Sequence, residues 1–97
     1  MNLSVEVLRK VIEISEEKDM PIQMDYYRRS FEGPLEKRVF IGVRKKEGMN
    51  DEKMLIKSEE EYTSPIKNMY KIQNEYIILT ENTIYIVSNQ IKGRPIK

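Results

Sequence analysis

The residues whose types could do acid–base chemistry are the carboxylates of Glu59-Glu60-Glu61 and of Asp51-Glu52. Catalysis by a carboxylate pair needs two different environments, so that one member keeps its proton while the other gives it up. Contiguous acids in a polar connector share a single environment, water, and read as a solvated loop. Nor does their spacing bring ligands from separate elements around a magnesium ion. Ser4, Ser15, Ser30, Ser58, Ser64 and Ser88 have no histidine to activate them, since the chain contains none, and no lysine stands in a recognisable Ser-Lys arrangement. Without cysteine there is no thiolate nucleophile, thiolate metal site or disulfide. Gly33, Gly42, Gly48 and Gly93 are scattered and form no phosphate-binding loop. The expectation is a protein that is not an enzyme, with no cofactor, no metal site and no identifiable small-molecule substrate.

Binding chemistry is better represented. Arg28, Arg29, Lys37, Arg38, Arg44, Lys45 and Lys46 crowd one stretch against Glu32 and Glu36 alone, and Glu47, Asp51, Glu52 and the glutamate run follow, so the molecule has a basic side and an acidic side. Basic side chains contact phosphates and aromatic rings stack on unpaired bases. Tyr26, Tyr27, Arg28, Arg29, Arg38, Arg44 and Lys45 therefore form a candidate RNA or single-stranded DNA surface, with Tyr70 as a further ring. Basic residues on an exposed edge hairpin also guard against aggregation, which is the competing reading. The total of 17 Lys and Arg against 16 Asp and Glu argues against a polybasic nucleic-acid coat or a membrane-surface binder.

The elements that must position these residues follow from periodicity. Leu3 to Lys18 reads as an amphipathic helix, with Val7, Leu8, Val11, Ile12 and Ile14 on one side and Glu6, Arg9, Lys10, Glu13, Glu16 and Glu17 opposite. Ser4 or Asn2 can cap it, Glu6 suits the positive end of its dipole, and Pro21 marks the stop. Ile22, Met24 and Tyr26 alternate with Gln23, Asp25 and Tyr27 as in a strand. A second strand follows the Phe31-to-Pro34 break, with Val39, Ile41 and Val43 on one face and Arg38, Phe40, Gly42 and Arg44 on the other, hairpin-linked to the first. Met54-Leu55-Ile56 reads as a short strand, and Ile66, Tyr70 and Ile72 begin another that ends at a Gln73-Asn74 turn.

The last 23 residues, EYIILTENTIYIVSNQIKGRPIK, hold two apolar runs around a polar break. A two-residue Glu81-Asn82 turn, with Asn82 accepting positive φ, sets the register: Leu79 meets Ile84 and Ile77 meets Ile86 on one face, Ile78 meets Tyr85 and Tyr76 meets Val87 on the other. Both faces are apolar. Burying one aliphatic side chain is worth about 1.5–3 kcal/mol, so neither face can be left wet cheaply. One helix has one stripe and covers one face. The other is covered either by the rest of the sheet, curled into a small barrel, or by a partner or second copy, which the tyrosines favour. On the second alternative Tyr76, Ile78, Tyr85 and Val87 form a protein interface.

In the basic tail from residue 92 to 97, Gly93-Arg94-Pro95 resembles the core of the AT-hook, with Lys92 where that motif has arginine; a frayed terminus is the expectation. The order of one helix and about five strands, with ILTENTIYIV near the end, resembles the Sm-like RNA-binding fold. Glu81 stands where that family has a glycine, and the resemblance, in topology and about ten residues, implies a fold analogy and no binding residues. The architecture expected for residues 1 to 97 is a single α+β domain: an N-terminal helix (1–19) packed on a strongly twisted antiparallel sheet or partly open barrel of about five strands (20–91), then the tail. Its absence of an apolar leader or span points to the cytoplasm. Heavy use of Ile, Lys, Glu, Asn and Tyr points to an AT-rich genome, such as that of a low-GC bacterium, a phage or a mobile element. The role expected is a small interaction module that binds a host protein or itself, with nucleic-acid binding as the alternative.

Overall fold

The computed structural model describes residues 3 to 96. Helix α1 (Val5–Lys18) starts where Ser4, in extended conformation, accepts a hydrogen bond from the Val7 N–H at 3.2 Å. Asn2, the other capping candidate, lies outside the described residues. The helix ends at Asp19, whose left-handed backbone (φ 52°) turns the chain and sends its N–H back to the Ser15 carbonyl.

Among the described residues seven strands follow: β1 (Ile22–Gln23), β2 (Phe40–Arg44), β3 (Glu52–Ile56), β4 (Asn68–Ile72), β5 (Glu75–Leu79), β6 (Ile84–Ser88) and β7 (Gly93–Pro95). They make two sheets, ordered β1-β6-β5-β4 and β3-β2-β7. The α+β architecture with the helix packed on a sheet is as expected, and β2–β3, β4–β5 and β5–β6 are antiparallel pairs. Two short parallel pairings, β1 with β6 and β2 with β7, make both sheets mixed, and they do not close into a barrel.

The terminal hairpin has the register written from its turn, Leu79 opposite Ile84 and Ile78 opposite Tyr85. Asn82 needs no left-handed backbone for this; positive φ among described non-glycine residues is confined to Asp19 and Gln73. The turn closes through the Thr80 N–H donating to the Thr83 carbonyl at 3.0 Å. Both faces of the hairpin are buried, and by different layers. Val7, Val11 and Ile14 of α1 pack with Ile77, Leu79, Ile84 and Ile86. On the reverse face Ile78 and Val87 pack with Tyr26, Val39 and Leu55, while Tyr76 and Tyr85 border that cluster. The order is therefore helix, four-stranded sheet, three-stranded sheet.

Three expectations are corrected. Ile22 to Ser30 is a strand only over its first two residues; it then turns into a 3₁₀ helix (Arg28–Ser30), so that consecutive Tyr26 and Tyr27 are buried in opposite clusters, which no strand alternation allows. It pairs with β6, not with β2. Leu8 and Ile12 are exposed, because the stripe that meets the sheet is Val7, Val11 and Ile14. The C-terminal tail is not frayed over Gly93–Pro95, which pairs along β2; the Ile41 N–H donates to the Lys92 carbonyl at 2.8 Å and the Ile96 N–H to the Val43 carbonyl at 2.9 Å.

Candidate interaction groove

Covering the hairpin from within decides the fate of the expected interface. Ile78 and Val87 are 0% exposed, and Tyr76 and Tyr85 are half-buried between the two sheets. The Tyr85 ring meets Tyr26 edge-on, with centroids 5.1 Å apart. That face is an interior seam, and the expected interface is corrected at its centre: Ile78 and Val87 are covered by Leu55, Val39 and their neighbours, while Tyr76 and Tyr85 keep partial exposure at the border.

The nucleic-acid constellation separates in the same way. Tyr26 and Tyr27 are core residues and present no ring to a base. Burial, reinforced by the charges of Tyr85, Asp25 and Glu61, pushes the Tyr26 hydroxyl up to about 12; burial raises Tyr27 as well. Arg28 is exposed and pairs with Glu32 on its own turn, Nε to Oε2 at 3.2 Å. Arg29 sits beside Lys37, Lys57 and Glu61 in a depression that adjoins the outer face of the three-stranded sheet and shares Glu36 and Lys57 with it, and Lys45 is exposed past the end of β2. Arg38 and Arg44 alone of this set line one concave surface, the outer face of the three-stranded sheet.

That surface follows from strand alternation. In β2 and β3 the pairs Ile41–Leu55 and Val43–Lys53 turn to one side, with Leu55 in the core, so Phe40–Ile56, Gly42–Met54 and Arg44–Glu52 turn outward. Arg94 of β7 is opposite Gly42, and its guanidinium lies 3.9 Å above the Phe40 ring. A Cβ on Gly42 would collide with the Ile56 side chain and come within 3.1 Å of Ile96, so glycine is what lets these two isoleucines close over the centre of the sheet. Tyr62 reaches the same face by bridging to Ile56. Its segment is pinned by Thr63, whose N–H donates to the Leu55 carbonyl at 2.9 Å and whose hydroxyl accepts from the Leu55 N–H at 3.0 Å.

The resulting groove holds about 640 Å³. Phe40, Met54, Ile56, Tyr62 and Ile96 give it an apolar lining, and Arg38, Arg44, Lys57, Glu36 and Glu59 add charge of both signs. Glu52 braces the basic edge, accepting Arg44 at 3.4 Å and Lys46 at 3.0 Å. Arg38 is held by its Nε donating to the Gly33 carbonyl at 3.0 Å. A smaller hollow of about 320 Å³ shares Glu36, Arg38 and Phe40 with the groove and continues past Leu35 and Ile91. Sequence reading placed Phe40, Gly42 and Arg44 on one strand face; it missed Tyr62 and Ile96, which arrive from a charged connector and from the tail. Among the described residues no cluster of three carboxylates could hold a metal ion, and no helix is long and apolar enough to cross a membrane. No family model matches the chain, and no curated protein or solved structure matches it either.

Proposed function

We propose that the chain is a small non-catalytic protein-interaction module that binds a partner protein through the outer face of its three-stranded sheet. The observation that carries this reading is the make-up of the groove: apolar side chains on a sheet surface, Tyr62 58% exposed among them, bordered by charges of both signs. An apolar centre with a polar, arginine-bearing rim is how protein interfaces are built. The occupant that fits is a protein segment presenting an apolar side chain flanked by carboxylates for Arg38 and Arg44 and by a cation for Glu36 or Glu59. A single-stranded nucleic acid is the second reading, favoured by Phe40 and Tyr62 beside Arg38 and Arg44. Glu36 and Glu59 on the same surface oppose a phosphate backbone, which places it second.

A photo-crosslinking amino acid at Tyr62 tests the choice in cells that express the chain, with the same group at Glu17 on the helix as control. A protease-sensitive adduct formed from position 62, absent from position 17 and lost with Ile56→Asp in a protein that still folds, is the expected result. A nuclease-sensitive adduct favours the second reading. Identical adducts from both positions, or none from Tyr62, remove the groove from consideration.

A further inference from the structure

We propose that the chain forms a twofold homodimer by antiparallel pairing of β4 with β4 of a second copy, joining two four-stranded sheets into one of eight. This goes beyond the groove, which lies on the other sheet, and does not depend on it.

Strand edges are sticky because their outward N–H and C=O groups lack partners. Among the described residues, three of the four outer edges are blunted. β1 is two residues long and β7 three, with Pro95 offering no N–H. β3 is covered by the following segment, through Thr63 to Leu55 and the Ile66 N–H to the Lys53 carbonyl at 2.7 Å. β4 is different: it is five residues long, free of proline and exposed over its first four. Met69 and Tyr70 are 38% and 37% exposed.

The ladder says which groups are free. Thr80 and Thr83 are a hydrogen-bonded pair closing the β5–β6 turn, so by antiparallel alternation Ile78 and Tyr76 bond to β6, while Leu79, Ile77 and Glu75 bond to β4. Their partners Asn68, Tyr70 and Ile72 face β5, and the N–H and C=O of Met69 and Lys71 point away from it. No hydrogen bond outside the ladders reaches Met69 or Lys71 among the described residues.

Charge then selects the occupant and the register. A twofold pairing that joins outward residues to outward residues can be centred on Met69, Tyr70 or Lys71. Centred on Lys71, it sets Lys71 against itself; centred on Met69, it sets Lys71 against Lys67 of the other copy. Like charges directly opposite oppose pairing. Centred on Tyr70, it sets Met69 against Lys71, Asn68 against Ile72 and Tyr70 against Tyr70, which leaves no lysine facing a lysine, stacks the lysine stem on methionine and returns all four free backbone groups as hydrogen bonds.

Sedimentation velocity on the full chain, from micromolar to about millimolar, tests this with two variants. Wild type is expected to shift from monomer to dimer with concentration. Lys71→Pro removes an outward N–H at a position where an edge strand tolerates proline, and is expected to stay monomeric with unchanged circular dichroism. Met69→Glu faces Lys71 in the Tyr70-centred register and is expected to tighten the dimer several-fold at low salt; in the Met69-centred register it would weaken it. A wild-type monomer throughout, a Lys71→Pro dimer, or loosening by Met69→Glu overturns the proposal, as does a monomer whose β4 captures only unrelated extended peptides. If Lys71→Pro fails to fold, amide exchange decides: Met69 and Lys71 N–H groups become protected with rising wild-type concentration, and continued fast exchange overturns the pairing. Crosslinking from Tyr62 is unaffected by either β4 variant, so a failure here leaves the groove standing.

Discussion

Replacing Ile77 and, separately, Ile78 with alanine asks what covers each face of the terminal hairpin. The two are neighbours on β5, equally and fully buried, and they point to opposite layers: Ile77 to the helix, Ile78 to the three-stranded sheet. Truncating a buried isoleucine to alanine costs about 2–5 kcal/mol, from lost transfer energy and the cavity left behind. On a wet sheet face the same change falls within roughly 1 kcal/mol, the span of strand propensity. A chain of this size has about 5–15 kcal/mol in total, so both variants remain measurable. In urea, with an m-value near 2 kcal/mol/M, a loss of ~2 kcal/mol lowers the midpoint by about 1 M. The expected outcome is a comparable loss, at least ~2 kcal/mol, for both. A large loss for Ile77→Ala with less than about 1 kcal/mol for Ile78→Ala would refute the covering of the second face.

Further outcomes follow from buried polar groups. The Ser30 hydroxyl donates to the Tyr27 carbonyl and accepts from the Ser88 N–H at 2.8 Å, tying the 3₁₀ turn to β6 across 58 residues. Ser30→Ala leaves that N–H without its partner and should cost about 1–3 kcal/mol, with faster exchange of the Ser88 amide by NMR. Glu75 is buried at the start of β5, and burial raises its carboxyl above the ordinary value. A raised folded-state pKa means stability fully present below the unfolded value of about 4.3 and lost as pH climbs through the folded one. Glu75→Gln should therefore unfold at a higher urea concentration than wild type at pH 7, with the gap closing toward pH 4. The Tyr26 hydroxyl, pushed up to about 12, should ionise in an ultraviolet titration well above the ordinary tyrosine value of about 10, and its contribution to stability should fade between about pH 10 and 12.

Local chemistry was legible where a local rule decides the outcome. The Ser4 cap, the stop ahead of Pro21 and every pairing across Thr80-Glu81-Asn82-Thr83 are set by residues close in sequence. The apolar reverse face of the hairpin was equally plain; what covers it was not, since Leu55 and Val39 belong to a sheet assembled far away along the chain. The parallel pairings of β1 with β6 and β2 with β7 have no turn to announce them, so the tail read as frayed. Tyr26 and Tyr27 carry amphipathic rings that suit both a core and a surface, and only the turn at Met24 sends both inward; the Tyr27 N–H donates to the Met24 carbonyl at 3.1 Å. In the groove, Arg38, Phe40 and Arg44 could be grouped by alternation, whereas Tyr62 depends on the Thr63 bonds to Leu55 and Ile96 on the docking of the tail.

In this fold the three-stranded sheet of one molecule lies against the reverse side of its own hairpin. Methyl NOE spectroscopy on a dilute sample, mixed from labelled and unlabelled chains to separate contacts within a molecule from those between molecules, measures this directly. Intramolecular cross-peaks from Ile78 and Val87 to Leu55 and Val39 are the expected result. Methyls of Ile78 and Val87 that show only intermolecular cross-peaks, or none to the second sheet, would contradict it.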